Sequence, residues 1–288
     1  MVTAVREAIE ALLGPGAVAT HCPNHTGAGK LSYEVRARGE RWWVKVAASD
    51  EEGRRLTRWA SVATILAERH GAPPVLEVLD VLDRTALLFP FLDHPVATRS
   101  TLLDRYAEVG AVLDGLHADH DLAGRLGGPV TGRESFRDVW VSRFEADLRI
   151  IAGHVAPDVY DYLAAEVETL AALVDGLDLP VHHAIHGDPW HENVLLGWDR
   201  VWLIDWESIA VGDPVIDRAI LLMDVHGAQR AAWPTEPRHQ VARRALLLDA
   251  AVDGAADWVQ SSEPAMRRAK EVGFHDGLAA YRADVHLG

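Results

Sequence analysis

The chain has 288 residues, 49% of them hydrophobic, which is enough apolar material for one large or two small folded units with cores of their own. Its 43 acidic residues against 28 basic ones leave a formal charge of -15, which argues against nucleic acid as a partner and suits a cationic acceptor or simple solubility equally well. A single cysteine, Cys22, excludes an internal disulfide and suits a reducing cytoplasm, and Arg6, Glu7 and Glu10 break up the N-terminal apolar residues, so neither a signal peptide nor a membrane span is expected.

Val2, Val5, Ile9, Leu12 and Leu13 recur at helical spacing and stop at Gly14-Pro15-Gly16, which predicts an opening amphipathic helix. A glycine-bearing turn, His25-Thr26-Gly27-Ala28-Gly29-Lys30, then feeds a strand over 31–35, and Arg38-Gly39-Glu40 turns into a second strand over 42–46. Gly27 and Gly29 would let the backbone come close to phosphate oxygens and Ser32 could add a hydroxyl, although two glycines also fit an ordinary hairpin connection. Lys45 sits in the second strand on the face of Trp43, opposite Val44 and Val46. A lysine among such neighbours needs a partner, and a nucleotide phosphate is a good candidate.

Ser49-Asp50-Glu51-Glu52 is a helix-start signature, and Leu56, Trp59, Ala63 and Leu66 carry the helical face forward. Gly71-Ala72-Pro73-Pro74 ends that helix, and 75–79 and 86–89 read as strands. At Phe89-Pro90-Phe91-Leu92 the composition changes from strand-rich to helical, which puts a boundary there: an N-terminal unit 1–91, a hinge near 89–92 and a C-terminal unit 92–288. Leu102, Leu103, Tyr106, Val109, Val112, Leu113 and Leu116 form a long helical stripe ending at His117. Phe136, Val139, Trp140, Phe144, Leu148 and Ile151 predict another helix, and Val159, Leu163, Val167, Leu170 and Val174 a third.

The densest chemistry lies at His186-Gly187-Asp188-Pro189-Trp190-His191-Glu192-Asn193, followed by Val201-Trp202-Leu203-Ile204-Asp205-Trp206-Glu207. Asn193 comes five residues after Asp188 and Asp205 seventeen after it, and the runs 193–196 and 201–204 read as a hairpin turned at Gly197-Trp198-Asp199-Arg200. A hairpin sets its two ends side by side, so Asn193 and Asp205 become neighbours. Phosphoryl transfer calls for hard oxygen donors on a metal ion and a carboxylate that orients the attacking hydroxyl and takes its proton. Asp188 can be that carboxylate, and Asn193 and Asp205 can hold Mg²⁺.

These residues resemble the aminoglycoside phosphotransferase and choline kinase family, kinase-like enzymes that phosphorylate small molecules. The resemblance runs from the glycine hairpin to Asp217, with its diagnostic part in 186–207. It implies an α+β, protein-kinase-like two-lobed fold with an N-terminal antiparallel sheet and a mainly helical C-terminal lobe. It assigns Asp188 as catalytic carboxylate, Asn193 and Asp205 as metal ligands, and Lys45 as the nucleotide clamp beneath a loop at Gly27, Gly29 and Ser32. Backbone groups around Phe89 and Phe91 would meet the purine of ATP or GTP. A glutamate on the helix after Lys45 would fix its ammonium, for which Glu52 is the nominee; a first-turn acid favourable to the helix dipole is the alternative reading of Glu52. Asp217, opening a helix after Gly212-Asp213-Pro214, would anchor the catalytic loop's backbone.

The expected activity is transfer of the γ-phosphoryl of ATP or GTP to a hydroxyl of a small molecule, an aminoglycoside-like or other antibiotic. A metabolic kinase of an amino alcohol or sugar, and a non-catalytic nucleotide-binding pseudokinase, are the alternatives. His182, His183, His186 and His191 also admit a transition-metal hydrolase, but no His-x-x-x-His pair falls on a recognisable helix and the Asp-Asn-Asp set suits a harder cation. The C-terminal helical stretch adds Asp249, Asp253, Asp257 and Glu263, which solvated helix faces explain as well as an acceptor pocket does.

Overall fold

The structure, a computed structural model, describes residues 1–22, 31–227, 229, 232–261 and 263–286. The chain forms two compact units. The first holds residues 1–22, 31–116 and His191–Ile209; the second holds His117–Trp190 and the described residues from Ala210 onward. The first unit therefore does not stop at Phe91, because the chain stays with it as far as Leu116 and returns to it at His191.

Helix α1 (Val2–Leu13) buries Val5 and Ile9 against an antiparallel sheet of order β1-β2-β3-β5-β4. Its strands are β1 (Val18–His21), β2 (Leu31–Ala37), β3 (Glu40–Val46), β4 (Glu77–Asp80) and β5 (Thr85–Pro90). Strand alternation sends Tyr33, Val35, Val44, Val46, Ala86 and Leu88 into the core shared with α1. Lys45 lies opposite Ser32 on one side and Leu87 on the other in the strand register, on the other face of the sheet. Helix α2 (Asp50–Arg69) starts at Ser49, whose side chain accepts the Glu52 N–H, and its Trp59 packs on Phe89 with ring centroids 4.8 Å apart. The predicted strand over 75–79 is a short edge strand, β4, with Val78 more than half exposed.

The stripe over 102–116 becomes two helices, α3 (Arg99–Asp104) and α4 (Tyr106–His117), because Arg105 leaves helical geometry after the Thr98 capping box. Helix α5 (His120–Leu126) and the short strand β6 (Val130–Thr131) follow in the second unit. Helix α6 (Gly132–Phe136) runs through a π-helical turn, Arg137–Val141, into α7 (Ser142–Ile151), and α8 (Pro157–Asp175) carries Leu163, Val167, Leu170 and Val174 into the core. After β7 (Pro180–Val181), strand β8 (His183–Ile185) delivers the chain to His186-Gly187-Asp188.

The chain then re-enters the first unit as a hairpin, β9 (Val194–Leu196) paired with β10 (Val201–Leu203). Gly71, just past α2, fixes this hairpin in place: its carbonyl accepts the Leu203 N–H at 2.9 Å. Its φ of 68° and a Val201 carbonyl 3.0 Å from where a Cβ would sit require glycine. Back in the second unit, β11 (Ala210–Gly212) pairs with β8, and α9 (Val215–His226), α10 (Pro237–Gln260) and α11 (Pro264–His286) complete the helical core. Among the described residues no helix is long and apolar enough to cross a membrane.

Candidate active site

In the first unit the chemistry gathers on Lys45. Its side chain is only 8% exposed, and its ammonium makes an ion pair with Asp205 and a second with Glu207 at 2.6 Å. A buried ammonium without counter-charges would be strongly penalised, so these carboxylates explain how Lys45 stays in an apolar strand. Asp205 sits just beyond β10 in left-handed backbone geometry, φ 67° and ψ 46°, an uncommon conformation that aspartate tolerates better than most residues. A short 3-10 turn, Trp206–Ser208, follows. The fully buried Trp206 donates its indole N–H to the Leu203 carbonyl at 2.6 Å, which locks the turn. Asn193 stands at the other end of the hairpin, its carbonyl accepting the Ile204 N–H at 2.9 Å. The backbone thus joins the Asn193 end to the residue before Asp205, as the hairpin reading requires.

In the second unit the sequence His186-Gly187-Asp188 is held from below by Asp217. This carboxylate is fully buried and accepts the backbone N–H of His186 at 2.9 Å and of Gly187 at 2.8 Å. The His117 ring, at the end of α4, places its Nε2 2.8 Å from Oδ2, the oxygen that also accepts the His186 N–H. Burial alone would raise the Asp217 carboxyl, but the His117 hydrogen bond, the nearby imidazoles and the Gly187 N–H together hold it below the usual carboxylate range. Gly187 has a φ of 85°, which turns the chain sharply before Asp188, and the Asp188 N–H donates to His186 Nδ1 at 3.2 Å. His183 in turn contacts the His117 carbonyl at 2.8 Å. Histidines 183 and 186 are thereby explained as braces of this loop.

Beside Asp188 the second unit carries a ladder of acids. Asp249, Asp253 and Asp257 recur every fourth residue along α10 and so share one helix face. Arg143 and Asp147, also four apart, answer from α7: Arg143 pairs with Asp249 and lies 3.8 Å from Asp253. Lys270 on α11 holds Asp257 at 2.6 Å. Asp147 is only 8% exposed, and among the described residues its Oδ2 has no hydrogen-bond partner. Burial, reinforced by the charge of Asp253, pushes its carboxyl up to about 6 despite the opposing pull of Arg143. Burial also raises Asp249, and the charge of Asp188 is felt there and at Arg143, which puts the ladder within electrostatic reach of the loop carboxylate.

The sequence-predicted residues divide as follows. Lys45 and Asp205 meet directly, Asn193 stands at the paired hairpin end, and Ser32 is the cross-strand neighbour of Lys45. Gly27 and Gly29 lie outside the described residues. Phe89 is a core side chain under Trp59, and the Phe91 N–H is already given to the Arg41 carbonyl at 3.1 Å, with the Arg41 guanidinium 3.6 Å above its ring. Glu52 does not partner Lys45: its carboxylate accepts the Ala48 N–H at 2.7 Å, so it closes the start of its own helix, as a first-turn acid only six to seven residues past the lysine strand is placed to do. Sequence reading passed over Glu207, His117 and the pair Arg143 and Asp147. The spacing of Glu207, two residues after Asp205, and the four-residue repeats on α7 and α10 were the available signals.

A five-stranded antiparallel sheet bearing one carboxylate-paired lysine, joined to a helical part that presents a buttressed His-Gly-Asp loop, defines a kinase-like small-molecule phosphotransferase. The model of the phosphotransferase enzyme family APH matches residues 20–269, and the chain belongs to that family. Curated protein sequences give no match. Among solved structures the chain is similar to aminoglycoside phosphotransferase APH(4)-Ia, with TM-score 0.68 and 16% identity over 100% of this chain and 99% of that one. It is also similar to an ethanolamine kinase of Plasmodium vivax, with TM-score 0.62 and 12% identity over 93% of this chain and 83% of that one. A third is the macrolide 2'-phosphotransferase MphH of Brachybacterium faecium, with TM-score 0.55 and 21% identity over 92% of this chain and 96% of that one. A thermostable mutant of APH(4)-Ia has been solved as a ternary complex with AMP-PNP and hygromycin B.

Proposed function

We propose that this enzyme moves the γ-phosphoryl group of ATP or GTP onto a hydroxyl of an amine-bearing small molecule, an aminoglycoside-like or other cationic antibiotic. The observation that carries the acceptor class is the acid ladder beside Asp188. Among the described residues, four carboxylates on two facing helices, one of them buried with an oxygen that meets no partner there, face two cations. Like charges four apart on a helix disfavour each other, and desolvation adds to the cost, so the arrangement is a stability liability that an arriving ammonium would relieve. A neutral sugar offers no such relief. An amino alcohol does, and a metabolic amino-alcohol kinase is the second reading, favoured by the fold likeness to an ethanolamine kinase.

In this reading Asp188 orients the acceptor hydroxyl and takes its proton as the phosphoryl group moves, while Lys45 neutralises nucleotide phosphate. Asn193 and Asp205 are the proposed holders of Mg²⁺, which when bound would supply positive charge to neutralise phosphate. One amide oxygen and one carboxylate suit a cation that completes its shell with phosphate and water. The test is nucleotide consumption with ATP and with GTP against aminoglycosides, macrolides, amino alcohols and neutral sugars, with mass spectrometry for added phosphate. Turnover confined to amine-bearing acceptors is expected; turnover of neutral sugars alone would overturn the acceptor class.

A further inference from the structure

We propose that Glu207 is the residue that holds the Lys45 ammonium in position for nucleotide phosphate, a task that the family resemblance would give to a glutamate on helix α2. The inference rests on the phosphotransfer reading above. Helix α2 has no carboxylate to offer on its inner side: the residues it buries are Leu56, Trp59, Val62, Ala63 and Leu66. Glu52, the acid that sequence spacing nominates, accepts the Ala48 N–H. Glu207 meets Lys45 at 2.6 Å with its own side chain 14% exposed, so the pair is largely removed from water, where a charge-assisted hydrogen bond is strong.

The local chain geometry explains how one short segment supplies both carboxylates. Asp205 and Glu207 flank Trp206, whose buried indole is tied to the Leu203 carbonyl, and the left-handed step at Asp205 brings both acids onto the same ammonium. The two acids then divide their work. Two carboxylates face the one ammonium. A divalent ion drawn to Asp205 would leave Glu207 as the standing counter-charge of the lysine. The anchor belongs to the segment after β10 rather than to a helix, so Lys45 is positioned whether or not α2 shifts.

Equilibrium binding of a non-hydrolysable ATP analogue, titrated across free Mg²⁺, tests the proposal alongside steady-state kinetics. Glu207→Gln should weaken nucleotide binding about tenfold at saturating Mg²⁺ and lower kcat/KM for nucleotide further, while the Mg²⁺ midpoint stays within about twofold of the parent. Glu207→Asp, which keeps the charge on a shorter stem, should fall between. Because Glu207 acts through Lys45, the double variant Lys45→Ala with Glu207→Gln should bind nucleotide no worse than Lys45→Ala alone. Parental affinity in Glu207→Gln would overturn the proposal. So would a loss that excess Mg²⁺ fully restores, which marks Glu207 as a metal ligand, or simple additivity in the double variant. Failure of the parent protein to bind nucleotide at all would instead sink the phosphotransfer reading.

Discussion

The cluster around Lys45 and the ladder beside Asp188 use similar side chains to opposite ends. Around Lys45, one ammonium meets two carboxylates directly, so the cation is fully countered before any ligand arrives. On α7 and α10, among the described residues, four carboxylates face two cations and Asp147 is left buried without a hydrogen bond to its Oδ2. The first arrangement spends charge on holding geometry. The second retains charge at a cost to folding, and such unrelieved strain in the electrostatics is where a ligand's own charge acts.

The largest expected effect lies at the loop carboxylate. Asp188→Ala should lower kcat by roughly 10²–10⁴-fold, the range for removing a positioned general base, while nucleotide affinity changes by less than about threefold. Matched assays of turnover and nucleotide binding check it, and undiminished turnover would take Asp188 out of the mechanism. Next in size is the buttress beneath it. Asp217→Ala leaves His117 and two backbone N–H groups unpaired in the interior and should destabilise by about 3–5 kcal/mol in denaturant unfolding. Because the folded Asp217 carboxyl is held below its ordinary value, its contribution is fully present above about pH 4 and is lost as pH falls through the folded value.

Much of this was legible in the sequence because the diagnostic residues are packed close together along the chain. The hairpin that joins the Asn193 end to Asp205 follows from two apolar runs and a turn, and the Asp217 buttress was what the family resemblance implied. The partner of Lys45 was not legible. Glu52, early on α2, looks like a candidate on spacing, but capping is a local interaction that wins over a reach across the sheet, and the partners lie about 160 residues away. Strand β1 was missed because four residues cannot display an alternation, and the break at Arg105 because an apolar stripe continues through it. The ladder's acids were visible one by one; that they face Arg143 and Asp147 depends on how α7 packs on α10, which no local pattern encodes.

Asp147 gives the comparison a pH signature opposite to that of Asp217. Its carboxyl is raised to about 6, so the folded protein binds its proton more tightly than the unfolded chain and stability should fall as pH rises from about 4 to 6. Asp147→Asn should therefore be more stable than the parent at pH 8, by up to roughly 2–3 kcal/mol, and show little difference near pH 4, measured by denaturant titration at both values. The same variant should raise KM for amine-bearing acceptors without weakening nucleotide binding. A pH-independent difference in stability would mean that Asp147 is not held against an energetic gradient, and the contrast between the two clusters would lose its strongest support.

The smallest effect sharpens the other side of the contrast. Glu52 and Glu207 are both acids of the first unit within reach of the lysine strand, yet only one touches Lys45. If Glu52 serves only the start of α2, Glu52→Gln should cost about 0.5–1 kcal/mol of stability, because the amide still accepts the Ala48 N–H but loses the favourable charge at the helix N-terminus. Nucleotide affinity should stay within about twofold of the parent. Thermal unfolding and analogue binding on one preparation separate the two roles. A tenfold loss of affinity in Glu52→Gln would show that α2 moves onto the lysine when nucleotide binds, and the settled character of the Lys45 cluster would then belong only to the nucleotide-free protein.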